Sequence, residues 1–153
     1  MREQGGPGPV VRHLGGFRWE GIAVQAYKRE GEPFRDVTRQ LLFGAGAGGA
    51  GELRYFEVGP GGWTTLERHA HVHQVVVLRG KGRALVGDRV LDLARFDLLC
   101  VPPRTWHQLR AGSDEALGFL CLVDRERDRP ERPGPADLAA LSALPEPAEF
   151  IRT

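Results

Sequence analysis

Short runs rich in β-branched, aromatic and leucine side chains recur along the chain, at residues 22–27, 37–43, 53–58, 63–66, 73–78, 83–86, 90–93, 97–101, 107–109 and 116–123. Turn-forming residues separate them, as in Gly59-Pro60-Gly61-Gly62, Gly80-Lys81-Gly82, Gly87-Asp88 and Ala111-Gly112-Ser113-Asp114. Many short strands at near-regular spacing with turn residues between them predict an all-β sandwich or barrel. One helix is predicted, late in the chain: residues 135–144 carry Pro135 and Asp137 near the start, are rich in alanine and leucine, and stop before Pro145. It is expected to lie outside the barrel as a C-terminal clasp. Residues 124–132 alternate charge without apolar periodicity, which reads as a solvated linker or, on the functional reading, a salt-bridged surface segment. The predicted organisation is a flexible N-terminal segment at 1–20, a barrel at 21–123, and a linker and helix at 124–153.

Length and charge narrow the function classes. With 153 residues and 41% hydrophobic side chains, the chain supports one sizeable core and one domain. Lys and Arg number 21 against 20 Asp and Glu, a formal net charge of +1, and no basic stretch is interleaved with aromatics. That argues against nucleic acid as a partner and for a small-molecule ligand or substrate. Residues 1–16 are polar and glycine-rich, and no run approaches the roughly 18 apolar residues of a membrane span, so a cytoplasmic protein without membrane contact is expected. The two cysteines, Cys100 and Cys121, lie in apolar segments and lack metal-ligand spacing, so both are expected as reduced, buried core thiols. Gly44-Ala45-Gly46-Ala47-Gly48-Gly49 has the spacing of a dinucleotide-binding turn, but the stretch after it reads as a strand and not a helix. Such a turn works by placing a pyrophosphate at a helix start, so this one reads as a connection between two strands.

Histidine placement carries the chemistry. Four of the five histidines fall in two short stretches, Glu67-Arg68-His69-Ala70-His71-Val72-His73 and Pro102-Pro103-Arg104-Thr105-Trp106-His107. A divalent cation needs several imidazole or carboxylate donors converging from different strands, and clustered histidines beside apolar runs meet that need. On an extended strand Glu67 and His69 share a face, and a short turn returns His73 on the next strand. A barrel interior is where His107, from a distant strand, could face them. A competing register takes His69-Ala70-His71 as the ligand pair, but it puts Val75 or Val76 at the third position, where neither can bind a metal. Glu67, His69 and His73 are therefore preferred, with His71 at the turn near the mouth.

These motifs resemble those of the cupin superfamily, in the small single-domain cupin-2 or quercetinase-like style. The first cupin motif, G-x5-H-x-H-x(3,4)-E-x6-G, is met in spacing by Gly61, Glu67, His69, His73 and Gly80, with Glu67 at the usual first His and His73 at the usual Glu. The second, G-x5-P-x-G-x2-H-x3-N, is met at Pro102 and His107, with Phe96, Arg104 and Ala111 in place of the two glycines and the asparagine. The resemblance spans roughly residues 53–123 and implies a double-stranded β-helix, or jelly-roll, barrel. It also implies one divalent metal per chain, Fe, Mn, Ni or Zn, held by Glu67, His69, His73 and His107. His71, Gln74, Tyr55, Trp63 and Trp106 are expected as neighbours of the ligands or as residues shaping the pocket. Two functions follow: a metal-dependent dioxygenase, isomerase or decarboxylase acting on a small organic acid or phenolic compound, or a non-catalytic module that binds or senses a metal or small ligand. A homodimer is expected, because a small barrel with long terminal segments leaves sheet edges to be covered, and the resemblance points the same way.

Overall fold

The computed structural model describes residues 9–153. The first eight residues of the segment expected to be flexible lie outside this range. Its remainder contains a hairpin, β1 (His13–Gly15) and β2 (Arg18–Trp19). The next strands are β3 (Gln25–Ala26), β4 (Arg35–Phe43), β5 (Gly51–Trp63), β6 (His73–Arg79), β7 (Gly82–Val86) and β8 (Arg89–Leu93). Then come β9 (Leu98–Val101), β10 (His107–Ala111) and β11 (Leu117–Asp124), followed by helices α1 (Pro135–Ser142) and α2 (Pro145–Phe150). One antiparallel sheet of nine strands runs in the order β8-β7-β10-β5-β11-β6-β9, with β4 on the other side of β5 and β3 beside β4. It curls into the all-β barrel expected from the strand spacing, with the jelly-roll form that the cupin resemblance implies.

Alternation sets the two faces of this sheet. Phe56 and Val58 of β5, Val75 and Val77 of β6, Leu99 and Val101 of β9, and Leu117, Phe119 and Cys121 of β11 point inward and form one core cluster. The same parity carries Arg54, His73 and His107 to the inner face, and all three line a cavity at one end of the core. Hydrophobic burial therefore fixes the register that aims the polar residues, since a slip of one residue would turn every side chain to the opposite face.

The Gly59-Pro60-Gly61-Gly62 stretch, read as a turn, lies inside β5. Here the strand passes from pairing with β11, at Val58 and Leu117, to pairing with β10, at Trp63 and Arg110. Gly61 makes the bend with φ 72°, and a Cβ on Gly62 would stand 2.5 Å from the carbonyl oxygen of Arg35. Glycine thus serves a bulge in a continuous strand. The expected strand over 63–66 keeps only Trp63 in β5, and the residues after it run alongside β10 through the Thr64 amide on the Leu109 carbonyl, 2.9 Å. Between β4 and β5 the glycine-rich run forms a short 3-10 turn, Ala45–Ala47, as a connection between strands.

The single predicted helix is two. Pro145, expected as a terminator, opens α2, because proline suits the first turn of a helix as well as the chain beyond its end. Both helices clasp the outside of the barrel, where Leu141 and Phe150 pack on Leu66 and Leu85. Gln108, fully buried, ties the C-terminus down: its amide donates to the carbonyls of Thr64 and Arg152, 2.8 Å each, and its oxygen accepts the Arg152 amide at 3.0 Å. Cys121 is buried as expected, whereas Cys100 is exposed, because its position on β9 alternates with the buried Leu99 and Val101. No helix among the described residues is long and apolar enough to cross a membrane.

The clasp should contribute measurably to stability. Phe150→Ala is expected to lower the free energy of unfolding in urea by about 3 to 5 kcal/mol, the usual cost of truncating a buried aromatic. A loss under about 1 kcal/mol would mean that α2 is not part of the cooperative fold.

Candidate metal centre

Three of the four expected ligands converge. One ring nitrogen from each of His69, His73 and His107 lies within 4.8 Å of the others. Ring centroids are 4.3 Å apart for His69 and His73, 4.8 Å for His69 and His107, and 5.2 Å for His73 and His107. His73 opens β6 and His107 opens β10, while His69 lies on the segment between β5 and β6. That segment is laced to β10 through reciprocal backbone bonds, Glu67 N to His107 O at 3.2 Å and His107 N to Glu67 O at 3.0 Å.

Hydrogen bonds prepare the rings for coordination. Nδ1–H of His69 donates to the carbonyl of His71 at 2.7 Å, and Nδ1–H of His107 donates to the carbonyl of Thr105 at 2.9 Å. Each bond fixes the tautomer that leaves Nε2 with a free lone pair, the usual device behind a metal-binding imidazole. His69 is 2% exposed, and its Nε2 is buried with no hydrogen-bond partner. An orphaned acceptor beside two further imidazoles is the arrangement that a divalent cation satisfies, so the residues present fit the metal that the fold leads one to expect. Burial, with His107 alongside, lowers the pKa of His69 to about 4. His73 is lowered by burial and by His107, His69 and Arg54, and His107 by burial, partly offset by its bond to Thr105 and by Glu67. All three rings are neutral at neutral pH, as ligation requires.

Glu67 stands apart from this trio. Burial alone would raise its pKa, but Lys28 forms an ion pair with Oε2 and Thr65 donates to the same oxygen at 2.7 Å, so the carboxylate is held ionised. Tyr27 completes the chain, its hydroxyl 3.0 Å from Thr65 Oγ1. The buried charge has a lysine as its partner, and the metal expected for that role is not needed to explain it.

His71 lies at the turn, as expected, and lines the cavity. Its ring stacks on His69 at 3.6 Å, and Nδ1 is 2.8 Å from Oδ1 of Asp128. The Asp128 carboxylate also accepts the amides of Ala70, at 2.7 Å, and His71, at 3.1 Å. These bonds hold its pKa well below the usual carboxylate range. The 124–132 segment is therefore the salt-bridged alternative and not a free linker, with Arg68 paired to Glu131 at 2.9 Å as a second tie. Alternating charge was the visible signal, although nothing in the spacing named Asp128.

The remaining expected pocket residues lie elsewhere. Tyr55 faces away from the cavity, stacked on Phe17 at 5.3 Å and against Trp19 at 5.4 Å. Trp63 is covered by Arg35, and Trp106 by Arg68 beside the C-terminal clasp. Gln74 is exposed on the outer side of β6. The cavity, about 410 Å³, is instead walled by Phe56, Phe119, Leu109 and Cys121, with Lys28 and several arginines at its sides. Burial pushes the Cys121 thiol up, an effect that Arg54 opposes through its Nη2, 3.7 Å from Sγ.

Comparison with known proteins agrees with this architecture. Residues 54–123 match the family model of the cupin domain. The chain is 57% identical over 136 residues to the 1-methylthio-D-xylulose 5-phosphate methylsulfurylase of Rhodospirillum rubrum, covering 88% of this chain and 86% of the relative. Among solved structures, a cupin 2 conserved barrel domain protein from Rhodopseudomonas palustris is 50% identical with a TM-score of 0.89, over 94% of this chain and 99% of that one. A cupin 2 domain-containing protein from Halorhodospira halophila is 45% identical with a TM-score of 0.74, over 94% and 96% of the two chains. The chain belongs to the cupin family.

Metal binding should follow the geometry. His69→Ala, His73→Ala and His107→Ala are each expected to abolish tight binding of Mn, Fe, Ni or Zn in calorimetric titration, whereas Glu67→Gln and His71→Ala should retain it. Loss in Glu67→Gln equal to that in His69→Ala would restore the carboxylate to the ligand set.

Proposed function

We propose that the protein is a metal-dependent enzyme acting on a methylthiolated ketose phosphate. The observation that carries this reading is the 57% identity, over most of both chains, to a protein named for that substrate. The histidine trio opening onto a cation-lined cavity supports it. Among the reactions that the fold hosts, oxygenation, isomerisation and decarboxylation are thereby less favoured than cleavage next to sulfur.

The chemistry suits a 1-methylthio-2-ketose. A divalent cation held by the three imidazoles would supply Lewis acidity toward the carbonyl or hydroxyl oxygens of the sugar. Carbon 1 lies next to that carbonyl, so an electron pair left on it delocalises onto oxygen. A thiol co-substrate attacking the methylthio sulfur then forms a new S–S bond as the C1–S bond breaks, and C1 takes up a proton. The products are a methyl disulfide of the acceptor and a 1-deoxyketose phosphate, so the thiol is oxidised and the sugar reduced. The apolar wall of Phe56, Phe119 and Leu109 suits the S-methyl group, while the neighbouring cations suit the phosphate.

Incubating metal-loaded protein with 1-methylthioxylulose 5-phosphate and excess thiol should release 1-deoxyxylulose 5-phosphate, seen by NMR, and stripping the metal with a chelator should stop it. Binding of the sugar phosphate without turnover under any thiol would reduce the protein to the non-catalytic binding module.

We also propose a homodimer. Phe43, Leu98 and Leu122 are exposed, on β4, β9 and β11 respectively, so the outer sheet presents apolar surface. Contiguous apolar surface of this kind marks an interaction site, and two-fold pairing is the commonest closed solution. Light scattering after size exclusion should give about twice 16.9 kDa at micromolar concentration, and a mass of 16.9 kDa would refute the dimer.

A further inference from the structure

The cavity beside the histidine trio has more positive charge than its own carboxylates neutralise. Lys28 is paired with Glu67 and Arg132 with Glu32. Arg127 is held by Glu52 at 3.0 Å and by the backbone carbonyls of Asp124 and Arg125. Arg39 and Arg54, both half-buried in the cavity wall, take part in no ion pair among the described residues. The Nε–H of each is buried and finds no acceptor. A desolvated guanidinium left without an anion is costly, and a planar fork of donors matches phosphate oxygens two at a time.

Register brings the two together. Arg39 on β4 is opposite Phe56 on β5, and Arg54 is two residues from Phe56 on the same face of β5. Diagonal neighbours of this kind stand roughly 7 to 8 Å apart. The Arg54 guanidinium lies over the Phe56 ring at 4.9 Å, the residue that Arg39 faces across the strand pair. Across the sheet, Arg54 is opposite Cys121 and Cys121 is opposite Val75, two residues beyond His73. Two strand spacings make roughly 10 Å between backbones, a span that inward-pointing side chains shorten to the reach of a five-carbon sugar.

From this placement we infer that Arg39 and Arg54 form the phosphate clamp of the cavity, holding the phosphate end of a ketose phosphate while its carbonyl end meets the histidine trio. The assignment rests on the ketose phosphate reading above. The clamp positions the substrate and selects it by charge, and the arginines take no part in bond making.

Calorimetry with xylulose 5-phosphate, which lacks the methylthio group, tests the clamp independently of turnover. Metal-loaded wild-type protein is expected to bind it, with Arg39→Ala and Arg54→Ala each weakening binding about 30-fold or more, the low end for truncating a buried charge pair. Arg39→Lys and Arg54→Lys should recover part of the loss, since a point charge remains without the fork. Unphosphorylated xylulose should bind wild type and variants alike. Unchanged affinity for the phosphate ester in both alanine variants, with melting temperature and metal content at wild-type values, would overturn the clamp. So would phosphate ester binding that disappears on metal removal yet ignores both arginines. If C1–S cleavage fails while arginine-dependent binding of xylulose 5-phosphate persists, the clamp stands and the reaction assignment falls.

Discussion

Three imidazoles crowded into one end of a hydrophobic barrel must stay neutral, and much of the surrounding structure serves that constraint. Burial disfavours the imidazolium form of each ring, and His107 further raises the cost of protonating His69 and His73. Orientation is supplied by the backbone: the carbonyls of His71 and Thr105 hold the Nδ1 protons of His69 and His107. The ring positions are then only as firm as the two loops that carry those carbonyls. The loops are tied to one another by the Glu67 and His107 backbone pair and by the Arg104 amide on the His69 carbonyl at 2.6 Å. Asp128 adds an outside clamp on the His71 turn.

The pairing of Glu67 with Lys28 changes the electrostatics of the centre. A dication held by the three neutral imidazoles alone would keep both of its charges, whereas a carboxylate ligand would cancel one. With Arg39 and Arg54 also unpaired, a dication on the histidine trio would give the cavity positive charge at both ends, an arrangement suited to an anionic ligand. Low dielectric strengthens the preference, because the apolar wall of Phe56, Phe119 and Leu109 limits screening by water. The thiol of Cys121 borders the same space, yet burial keeps it in the protonated form that suits packing more than attack.

How much of this could be read beforehand depended on whether the information was local. Strand alternation and turn residues are local, so the barrel and most of its strands were legible, as was the convergence of His69, His73 and His107 from their spacing. Glu67 shares a face with His69, but the spacing could not reveal Lys28, 39 residues upstream, as its competing partner. Tyr55 was misplaced because both faces of β5 are covered. The β1–β2 hairpin packs Phe17 and Trp19 on it, and Gly118 leaves the room, since a Cβ there would stand 2.0 Å from the Tyr55 hydroxyl. A strand buried on both sides gives alternation no polarity to report, so Arg54 and Phe56 were overlooked in favour of the aromatic next to them. Asp128 was hidden for a different reason: in a run of alternating charge, only the tertiary contact singles out one member.

The departures from the second cupin motif show how such a site tolerates substitution. Phe96 and Arg104 stand where the family has glycine, and both adopt left-handed backbone, with φ 74° and 57°. That conformation costs a residue with a Cβ about 1 to 2 kcal/mol, so something else must hold the two turns. For Phe96 it is the amide on the Val77 carbonyl at 2.7 Å, and for Arg104 the short bond to the His69 carbonyl. The second bond joins the strained turn before His107 to the backbone of another candidate ligand. Glycine at position 104 would relieve the strain but would also free the loop in the unfolded chain, so its net effect on stability is small. Strain stored there is held by the same contacts that align the imidazoles, so the precision of the histidine trio and the tolerance for Arg104 have one physical origin.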